Sequence, residues 1–321
     1  MRVLVTGGAG FIGSHLVDAL VEEHDVAVVD DLSTGNRANL SEAARFTELS
    51  ILDPRFEAVV VDFKTDAIVH LAAQTSVGVS IEDPVADWQL NVEGTRRVAL
   101  AALAAGTRTV LSASSAAVYG DPTSMPLQEV SHKRPMSPYG KSKLAAEEIL
   151  AGELADTSVD FASLRFANVY GPRQSSEGEG GVVAIFAAKI AAGDPIVVYG
   201  DGHQTRDFIY VKDVVSGILF ALASQPVLRE GGGAGSAYNI STGTETSVSD
   251  MIEIMAVRSA TPVQVLYEPP RPGDIRSSYL DSEKARQVFG WSAHIPLAEG
   301  IAATLDWYAA RRRLEDGRES T

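Results

Sequence analysis

The sequence predicts an α/β protein with a doubly wound parallel sheet and a smaller C-terminal α/β lobe. Three observations predict this fold. The chain begins with a short apolar strand, a glycine-rich turn and an amphipathic helix. Further strands and helices alternate up to about residue 170, as expected for a parallel sheet covered by helices on both faces. After Gly171 the composition changes, and residues 174–181, rich in glycine and glutamate, are expected to form a loop before the second lobe.

Length and composition are those of a globular protein with a sizeable core. The 321 residues suffice for two modest domains, and 45% of them are hydrophobic. The net charge of −15 disfavours nucleic acid and anionic membranes as partners. Cysteine is absent, so disulfides and thiolate metal sites are excluded. No apolar run has membrane-spanning length and no signal peptide is apparent, so we expect a cytoplasmic protein.

The first strand–turn–helix unit has the pattern of a dinucleotide site. Gly7, Gly10 and Gly13 follow strand 2–6, and helix 14–23 follows them. Glycines at these positions allow a tight turn and a close approach to a pyrophosphate at the helix N-terminus. The next strand ends in Asp30-Asp31, where Asp30 can accept ribose hydroxyls and would repel a 2′-phosphate. The unit therefore predicts a Rossmann-type sheet that binds NAD rather than NADP.

The following strands bring further candidate residues to the same edge of the sheet. Strand 67–71 runs into two small alanines, and strand 109–112 leads into a serine-rich turn. Ligands of open parallel sheets bind beyond the carboxyl ends of the strands. Residues at or just after predicted strand ends are Gly10, Asp30, Ala72, Ser115 and Asn168. We therefore expect these residues to converge on one crevice.

A tyrosine and a lysine at the start of the next helix are the candidate catalytic pair. Pro138 ends an extended segment, and an apolar-periodic run follows it. Tyr139 and Lys143 are four residues apart, so both side chains share one helix face. An ammonium beside a phenol favours the phenolate, which makes the tyrosine a base near neutral pH. The spacing by itself also fits a solvated pair on a surface helix.

Several segments, taken in order, resemble one known family. The matching segments are TGGAGFIG at 6–13, VVDDLS at 28–33, HLAAQ at 70–74, NVEGT at 91–95, SSAAVYG at 114–120, SPYGKSK at 137–143, RFANVYGPR at 165–173, VYGDGHQTRDFIYVKD at 198–213, YNIS at 238–241 and RPGDIRSSYLD at 271–281. They cover nearly the whole chain. The sequence resembles the extended short-chain dehydrogenase/reductases, in particular the NAD-dependent epimerase/dehydratase group and its UDP-glucose 4-epimerase-like members.

This resemblance implies roles for individual residues. Tyr139 would take the proton from the sugar 4-hydroxyl, Lys143 would bond the nicotinamide ribose, and Ser115 would hydrogen-bond the same sugar oxygen. The implied NAD site consists of Gly7, Gly10, Phe11, Ile12, Gly13, Asp30, Asp31, Ser50, Ile51, Leu71, Ala72, Ala73, Asn91, Tyr139 and Lys143. The implied substrate site consists of Ser76, Ser115, Asn168, Val182, Val183, Tyr199, Arg206, Arg271 and Asp274. In this set the two arginines would bind the diphosphate, because a planar guanidinium can donate two parallel hydrogen bonds to a phosphate.

Two positions depart from the family pattern. Ser50-Ile51 stands where the family usually has an aspartate and an apolar residue against the adenine. Ala116 and Ala117 stand where the 4,6-dehydratase branch has the acid and base that move the 6-hydroxyl and the C5 proton. Methyl groups transfer no protons, so ordinary 4,6-elimination is disfavoured, and so is the decarboxylase branch.

Three functions remain open from the sequence. The first is NAD-dependent 4-epimerisation of a UDP-hexose or UDP-N-acetylhexosamine. The second is a nucleotide-sugar dehydratase, such as a UDP-N-acetylglucosamine 5,6-dehydratase of a tunicamycin-type nucleoside-antibiotic pathway. The third is a non-catalytic NAD-binding regulator, which the intact Ser115, Tyr139 and Lys143 disfavour. The six histidines have no metal-binding spacing, and His70 is expected to be a packed neutral histidine.

The resemblance also implies domain boundaries and an assembly. Residues 1–170 would form the NAD domain, with 208–222 and 238–241 returning to it, and residues 171–321 would form the substrate lobe. The family implies a homodimer held by a four-helix bundle. The apolar helices 88–104 and 140–154 are the candidates for this bundle, although simple burial in the monomer explains their composition nearly as well.

Overall fold

The computed structural model describes residues 1–122, 124–177, 181–224, 236–259, 262–271 and 275–319. The strands are β1 (Arg2–Thr6), β2 (Asp25–Asp30), β3 (Arg45–Glu48), β4 (Ala67–His70), β5 (Thr109–Ser115), β6 (Asp160–Phe166), β7 (Asn168–Tyr170), β8 (Ile196–Tyr199), β9 (Thr205–Arg206), β10 (Phe208–Tyr210), β11 (Ser236–Ile240), β12 (Thr246–Ser247), β13 (Val265–Glu268) and β14 (Ser277–Ser278).

The α-helices are α1 (Phe11–Leu20), α2 (Phe56–Asp62), α3 (Val77–Glu82), α4 (Pro84–Trp88), α5 (Gly94–Ala105), α6 (Pro138–Leu154), α7 (Val182–Ala192), α8 (Val211–Ala223), α9 (Val248–Arg258), α10 (Glu283–Phe289) and α11 (Leu297–Glu319). A π-helical turn, Gln89–Glu93, joins α4 to α5, and short 3-10 turns occupy Arg37–Asn39 and Ala116–Val118. Within the described ranges, no helix combines the length and the apolar character needed to cross a bilayer.

The main sheet has seven strands in the order β11–β6–β5–β4–β1–β2–β3. Every neighbouring pair in it is parallel. Chain order reverses at β1, which lies between β2 and β4 and so places a crevice at the carboxyl ends of these strands. The predicted doubly wound α/β fold is confirmed.

Alternating side chains of the strands fill two cores, one on each face of the sheet. In β1, Val3 and Val5 pack into the core covered by α1 and α8. Leu4, between them, packs into the opposite core, which α5 and α6 cover. Successive strand side chains point to opposite faces, so a near-continuous apolar run is what a sheet covered on both sides requires.

A third apolar core lies outside the main sheet, mostly in the part of the chain predicted to form the second lobe. Helices α7, α9 and α11 pack together with β8 and β10 around Phe186, Ile196, Met251 and Ile301. Strands β8 and β13 pair in parallel, and β9 pairs with β12 and β14. Strand β11 comes after β10 in the chain but lies in the main sheet, where it pairs with β6.

Candidate active site

The turn after β1 forms a cradle in which side chains would not fit. Gly7 has a φ of +70°, and a Cβ there would lie 2.6 Å from the amide nitrogen of Ala72. A Cβ on Gly13 would lie 2.2 Å from the carbonyl oxygen of Gly7, so α1 packs directly on the turn. Gly10 is the N-cap of α1 and places no side chain over its first N–H groups. The cradle thus leaves the N-terminus of α1 open to a ligand, and a pyrophosphate there stays a prediction.

The first two residues of α1, Phe11 and Ile12, lie directly after the glycine turn. Phe11 is partly buried, and its ring meets that of His15 edge-on, with centroids 6.1 Å apart. Ile12 is partly buried and packs against the core on the α1 face. Both side chains thus stabilise the position of the cradle against the body of the protein.

Asp30 is held against the glycine turn by backbone donors. Its carboxylate accepts hydrogen bonds from the N–H groups of Ala9 at 2.9 Å and Leu32 at 2.8 Å. Burial raises the pKa of Asp30, and the two N–H donors partly offset this effect. A carboxylate at the end of β2 and beside the cradle fits the predicted acceptor of ribose hydroxyls. Asp31 is exposed, and its carboxylate accepts from the N–H of Ser33 at 3.1 Å.

The end of β4 forms the opposite wall of the cradle. The residues predicted to line NAD here are Leu71, Ala72 and Ala73, all partly buried. The N–H of Leu71 donates to the carbonyl of Thr6, and that of Ala72 donates to the Thr6 hydroxyl. Thr6 also bonds His70 Nδ1 at 2.8 Å, while His70 Nε2 bonds Thr95 at 3.1 Å. Burial lowers the pKa of His70 to about 3, so the prediction of a packed neutral histidine is confirmed.

Ser50 and Ile51 follow β3, at the edge of the sheet. The Ser50 hydroxyl accepts a hydrogen bond from the N–H of Leu52 at 3.3 Å. Ile51 is only 2% exposed, and its side chain packs in the core against Gly94. The structure therefore uses the Ile51 side chain for packing, whereas the Ser50 hydroxyl closes the local turn.

The three predicted catalytic residues lie together at the carboxyl end of β5. The Ser115 side chain is close enough to the Tyr139 phenol to lower its pKa. The Lys143 ammonium lies 5.9 Å from the centroid of the Tyr139 ring and donates to the carbonyl of Ala113 at 3.1 Å. Tyr139 enters the cluster because Ser137 caps α6 by accepting from the N–H of Gly140.

Protonation of this pair is dominated by burial. Burial raises the pKa of Tyr139, and the Ser115 side chain partly offsets this effect. Burial also lowers the pKa of Lys143 to about 8, against the opposing effect of nearby carboxylates. In the protein alone the net shift of the Tyr139 pKa is upward, which corrects the prediction of a phenolate near neutral pH.

Asn91, predicted to line the NAD site, is 1% exposed and bonded within the protein. Its amide oxygen accepts from the N–H of Gln74, and its amide nitrogen donates to the Gln74 carbonyl, Asp87 and Ser142. The residue lies in the π-helical turn, a geometry common at functional sites. Its side chain thus links the segment after β4 to the start of α6 through hydrogen bonds.

Sequence reasoning missed two residues of this network, Gln74 and Asp87. Gln74 lies in the matched HLAAQ segment, which is a usable signal. Asp87 had no such signal, because a single acidic residue within the predicted helix 84–105 is usually a solvated surface charge. The structure instead buries Asp87 to 1% exposure and bonds its carboxylate to Gln74 and Asn91.

Three residues predicted for the substrate site lie together. Asn168, Val182 and Val183 line one small cavity of about 30 Å³. Ser76 caps α3, where its hydroxyl accepts from the N–H of Val79. Helix α3 is joined to the start of α6 by a hydrogen bond from the N–H of Tyr139 to the Ser80 hydroxyl. This bond brings the Ser76 segment to the catalytic cluster.

The predicted diphosphate arginines lie in the second lobe. Arg206 Nη1 donates to the carbonyls of Thr205 and Ile275, each at 2.7 Å. The Arg271 guanidinium stacks on the ring of Tyr199, 3.9 Å from its centroid, so these two predicted residues come together. Asp274, also predicted for this site, lies outside the described residues. In the part of the chain that the structure describes, no group of three or more His, Asp or Glu side chains could hold a metal ion.

The glycine cradle, the acid at the end of β2 and the Ser115–Tyr139–Lys143 cluster together define a dinucleotide-binding α/β enzyme. The family model for the NAD dependent epimerase/dehydratase family matches residues 3–241. This protein belongs to that family.

Individual relatives cover the whole chain. It is 42% identical to UDP-glucose 4-epimerase of Mycolicibacterium smegmatis over 315 residues, which are 96% of this chain and 98% of the relative. The structure of UDP-glucose 4-epimerase with UDP-glucose from Thermotoga maritima matches with a TM-score of 0.91 and 37% identity, covering 98% of this chain and 100% of that one. The UDP-glucose 4-epimerase complex with NAD from Thermus thermophilus matches with a TM-score of 0.87 and 37% identity, covering 96% and 99%.

Proposed function

We propose that this protein is an NAD-dependent nucleotide-sugar 4-epimerase that acts on a UDP-hexose or UDP-N-acetylhexosamine. The observation that carries the proposal is the Lys143 ammonium 5.9 Å from the centroid of the Tyr139 ring, with Ser115 close enough to act on the phenol, in a fold that also has the glycine cradle. The similarity to UDP-glucose 4-epimerases over nearly the full chain supports the same function.

In this proposal each residue of the cluster has one task. NAD, when bound, supplies the acceptor and donor of hydride at the sugar C4. Tyr139 removes the proton of the 4-hydroxyl, and Ser115 hydrogen-bonds the same oxygen. After the sugar has rotated within the site, Tyr139 returns the proton. Lys143 donates to the Ala113 carbonyl, which is its only hydrogen-bond acceptor in the described ranges. An ammonium has three donors, so Lys143 can also hold ribose hydroxyls.

The cradle and the second lobe would hold the two ligands. The pyrophosphate of NAD fits the N-terminus of α1, and Asp30 fits its ribose hydroxyls. Arg206 and the stacked pair Arg271–Tyr199 would bind the sugar diphosphate. On this basis we propose that residues 1–170, with 208–222 and 238–241, form the NAD domain and that 171–321 otherwise form the substrate lobe.

The turn after Ser115 favours epimerisation over ordinary 4,6-elimination. Ala116 and Ala117 begin a 3-10 turn directly after β5, and the Ser115 hydroxyl accepts from the N–H of Ala117 at 3.2 Å. Neither methyl side chain can move a proton. Elimination at C5 and C6 would need a base from elsewhere, which keeps a 5,6-dehydratase as the second candidate.

We expect the protein with NAD to convert UDP-glucose or UDP-N-acetylglucosamine into an isomer of equal mass. Mass and proton spectra of the incubated sugar nucleotide check this. Loss of one water would replace the epimerase with a dehydratase. Absence of turnover with every UDP-sugar, together with retained NAD binding, would contradict both and favour a non-catalytic regulator.

We also propose a homodimer in which α5 and α6 of each protomer form a four-helix bundle. Trp88, Leu100 and Leu103 are 45%, 43% and 36% exposed on α4 and α5, which suits a covered apolar face. We expect the double variant Leu100→Glu/Leu103→Glu to halve the mass in light scattering, because two buried charges are costly. Val257→Glu, at an 85% exposed site on α9, is the matched control. An unchanged mass in the double variant would contradict this interface.

A further inference from the structure

Asp87 is a carboxylate buried directly behind the candidate active site. It lies in α4 and is 1% exposed. Its Oδ1 accepts hydrogen bonds from Gln74 Nε2 at 2.8 Å and from Asn91 Nδ2 at 3.2 Å. Its Oδ2 is buried and has no hydrogen-bond partner among the residues that the structure describes. A buried carboxylate oxygen without a donor costs several kcal/mol (order of magnitude) unless a nearby cation compensates its charge.

Lys143 is a buried cation within electrostatic reach of Asp87. The titratable groups that act on the Lys143 ammonium are Asp87 from α4, Glu147 from α6 and the neutral His70 from β4. Burial lowers the pKa of Lys143 to about 8, and Asp87 is the strongest of the groups that raise it.

The second carboxylate near Lys143 is already neutralised by another cation. Glu147 accepts two hydrogen bonds from the Arg165 guanidinium, at 2.8 Å and 2.6 Å, and one from the Ser114 hydroxyl at 2.5 Å. Bidentate pairing of this kind compensates most of the carboxylate charge. Asp87 is therefore the carboxylate whose charge is left to balance Lys143.

The groups that hold Asp87 also reach the backbone of two site residues. Asn91 donates to the Ser142 hydroxyl at 3.0 Å, and Ser142 donates to the carbonyl of Tyr139 at 3.0 Å. The Gln74 amide donates to the carbonyl of Ser76 at 2.8 Å and also accepts from the Ser76 N–H. A change at Asp87 is therefore expected to alter the hydrogen bonds that hold the backbone of Tyr139 and of Ser76.

We infer that Asp87 is a positioning residue for the catalytic pair: its carboxylate is the buried counter-charge of the Lys143 ammonium. Through Asn91 and Gln74 it also fixes the backbone of Tyr139 and Ser76. This inference rests on the proposed function, since it assigns Asp87 a part in the same proton transfer.

The charge of Asp87 acts in the same direction on both members of the pair. It raises the pKa of Lys143 by stabilising the ammonium and raises the pKa of Tyr139 by repelling the phenolate. Turnover needs Tyr139 able to lose its proton and Lys143 protonated. Because the pKa of Lys143, about 8, lies below the raised pKa of Tyr139, turnover rises with pH through the pKa of Lys143 and falls with pH through that of Tyr139. Removing the charge moves both limbs of the pH profile to lower pH.

The Asp87→Asn variant tests this inference, because asparagine keeps an acceptor for Gln74 and Asn91 but removes the charge. We expect both limbs of the kcat profile to move to lower pH by about one unit, with about tenfold lower kcat on the alkaline side. KM for the UDP-sugar changes little. Glu82→Gln, which removes the same charge from an exposed position at the end of α3, is the control and leaves the profile in place.

Phenolate absorbance gives a second measurement that needs no turnover. The difference between a protein and its Tyr139→Phe derivative isolates the titration of Tyr139, which we expect at lower pH in Asp87→Asn than in the unmodified protein. Asp87→Ser is a second neutral replacement if Asp87→Asn does not fold. A lower kcat with unmoved limbs and unmoved Tyr139 titration would overturn the inference. Absence of UDP-sugar turnover in the unmodified protein would instead overturn the proposed function and leave this titration as the test of Asp87.

Discussion

Replacing Tyr139 by phenylalanine is expected to abolish measurable epimerisation while leaving the fold intact. The variant loses only the phenol oxygen, the atom on which Ser115 acts and which would carry the proton of the sugar hydroxyl. Loss of a positioned general base lowers kcat by about 10²- to 10⁴-fold. The measurement is kcat with a UDP-sugar and NAD, accompanied by NAD affinity from calorimetry, which we expect to be unchanged.

Tyr267→Phe is the matched control for this experiment, because Tyr267 is 62% exposed in the second lobe. It removes the same oxygen from a site without a part in the chemistry, and kcat should stay within error of the unmodified protein. Comparable turnover in Tyr139→Phe would mean that another group moves the proton, and the proposed mechanism would then be wrong.

Replacing Glu147 by glutamine is expected to produce a large loss of stability. Arg165 and Glu147 form a buried ion pair, with side chains only 2% and 11% exposed. Arg165 also donates to the Tyr119 hydroxyl, which in turn bonds Asn239 of β11. Glutamine leaves the buried guanidinium without a counter-charge, so we expect the free energy of unfolding to fall by about 3–5 kcal/mol. Urea denaturation followed by circular dichroism measures this.

An exposed pair of the same chemistry provides the comparison. Glu283 and Arg286 of α10 form an ion pair with side chains 45% and 61% exposed. Because water screens this pair, Glu283→Gln should lower the free energy of unfolding far less than Glu147→Gln does. Equal losses in the two variants would show that burial does not set the strength of the Arg165–Glu147 pair.

The sheet and the dinucleotide turn could be predicted because their signals are local. The glycines at 7, 10 and 13 are needed where a Cβ would clash, and this requirement is visible as residue type alone. The apolar runs of β1 and β4 are buried on both faces, as parallel strands require. The spacing of Tyr139 and Lys143 placed both on one helix face, and the structure brings them to Ser115.

Other features of the candidate site depend on contacts between distant segments. Asp87 looked like a surface acid, and it is buried because the segment after β4 and helix α6 both close over α4. Lys143 was expected to govern the protonation of Tyr139, but desolvation is the largest effect on the pKa of Tyr139, and desolvation is a property of the assembled core. No residue pattern along the chain reports either outcome.

A resemblance to a known family implied the catalytic trio, whereas residue type and spacing along the chain by themselves predicted the parallel sheet and the glycine cradle. These depend on backbone conformation and strand periodicity, which neighbours in sequence control. Only the tertiary structure decided which polar groups are buried together, among them Asp87, Asn91 and Arg165. The physical reason is that hydrogen bonding and the charge of a buried group depend on the surrounding atoms, and these come from segments far apart in the chain.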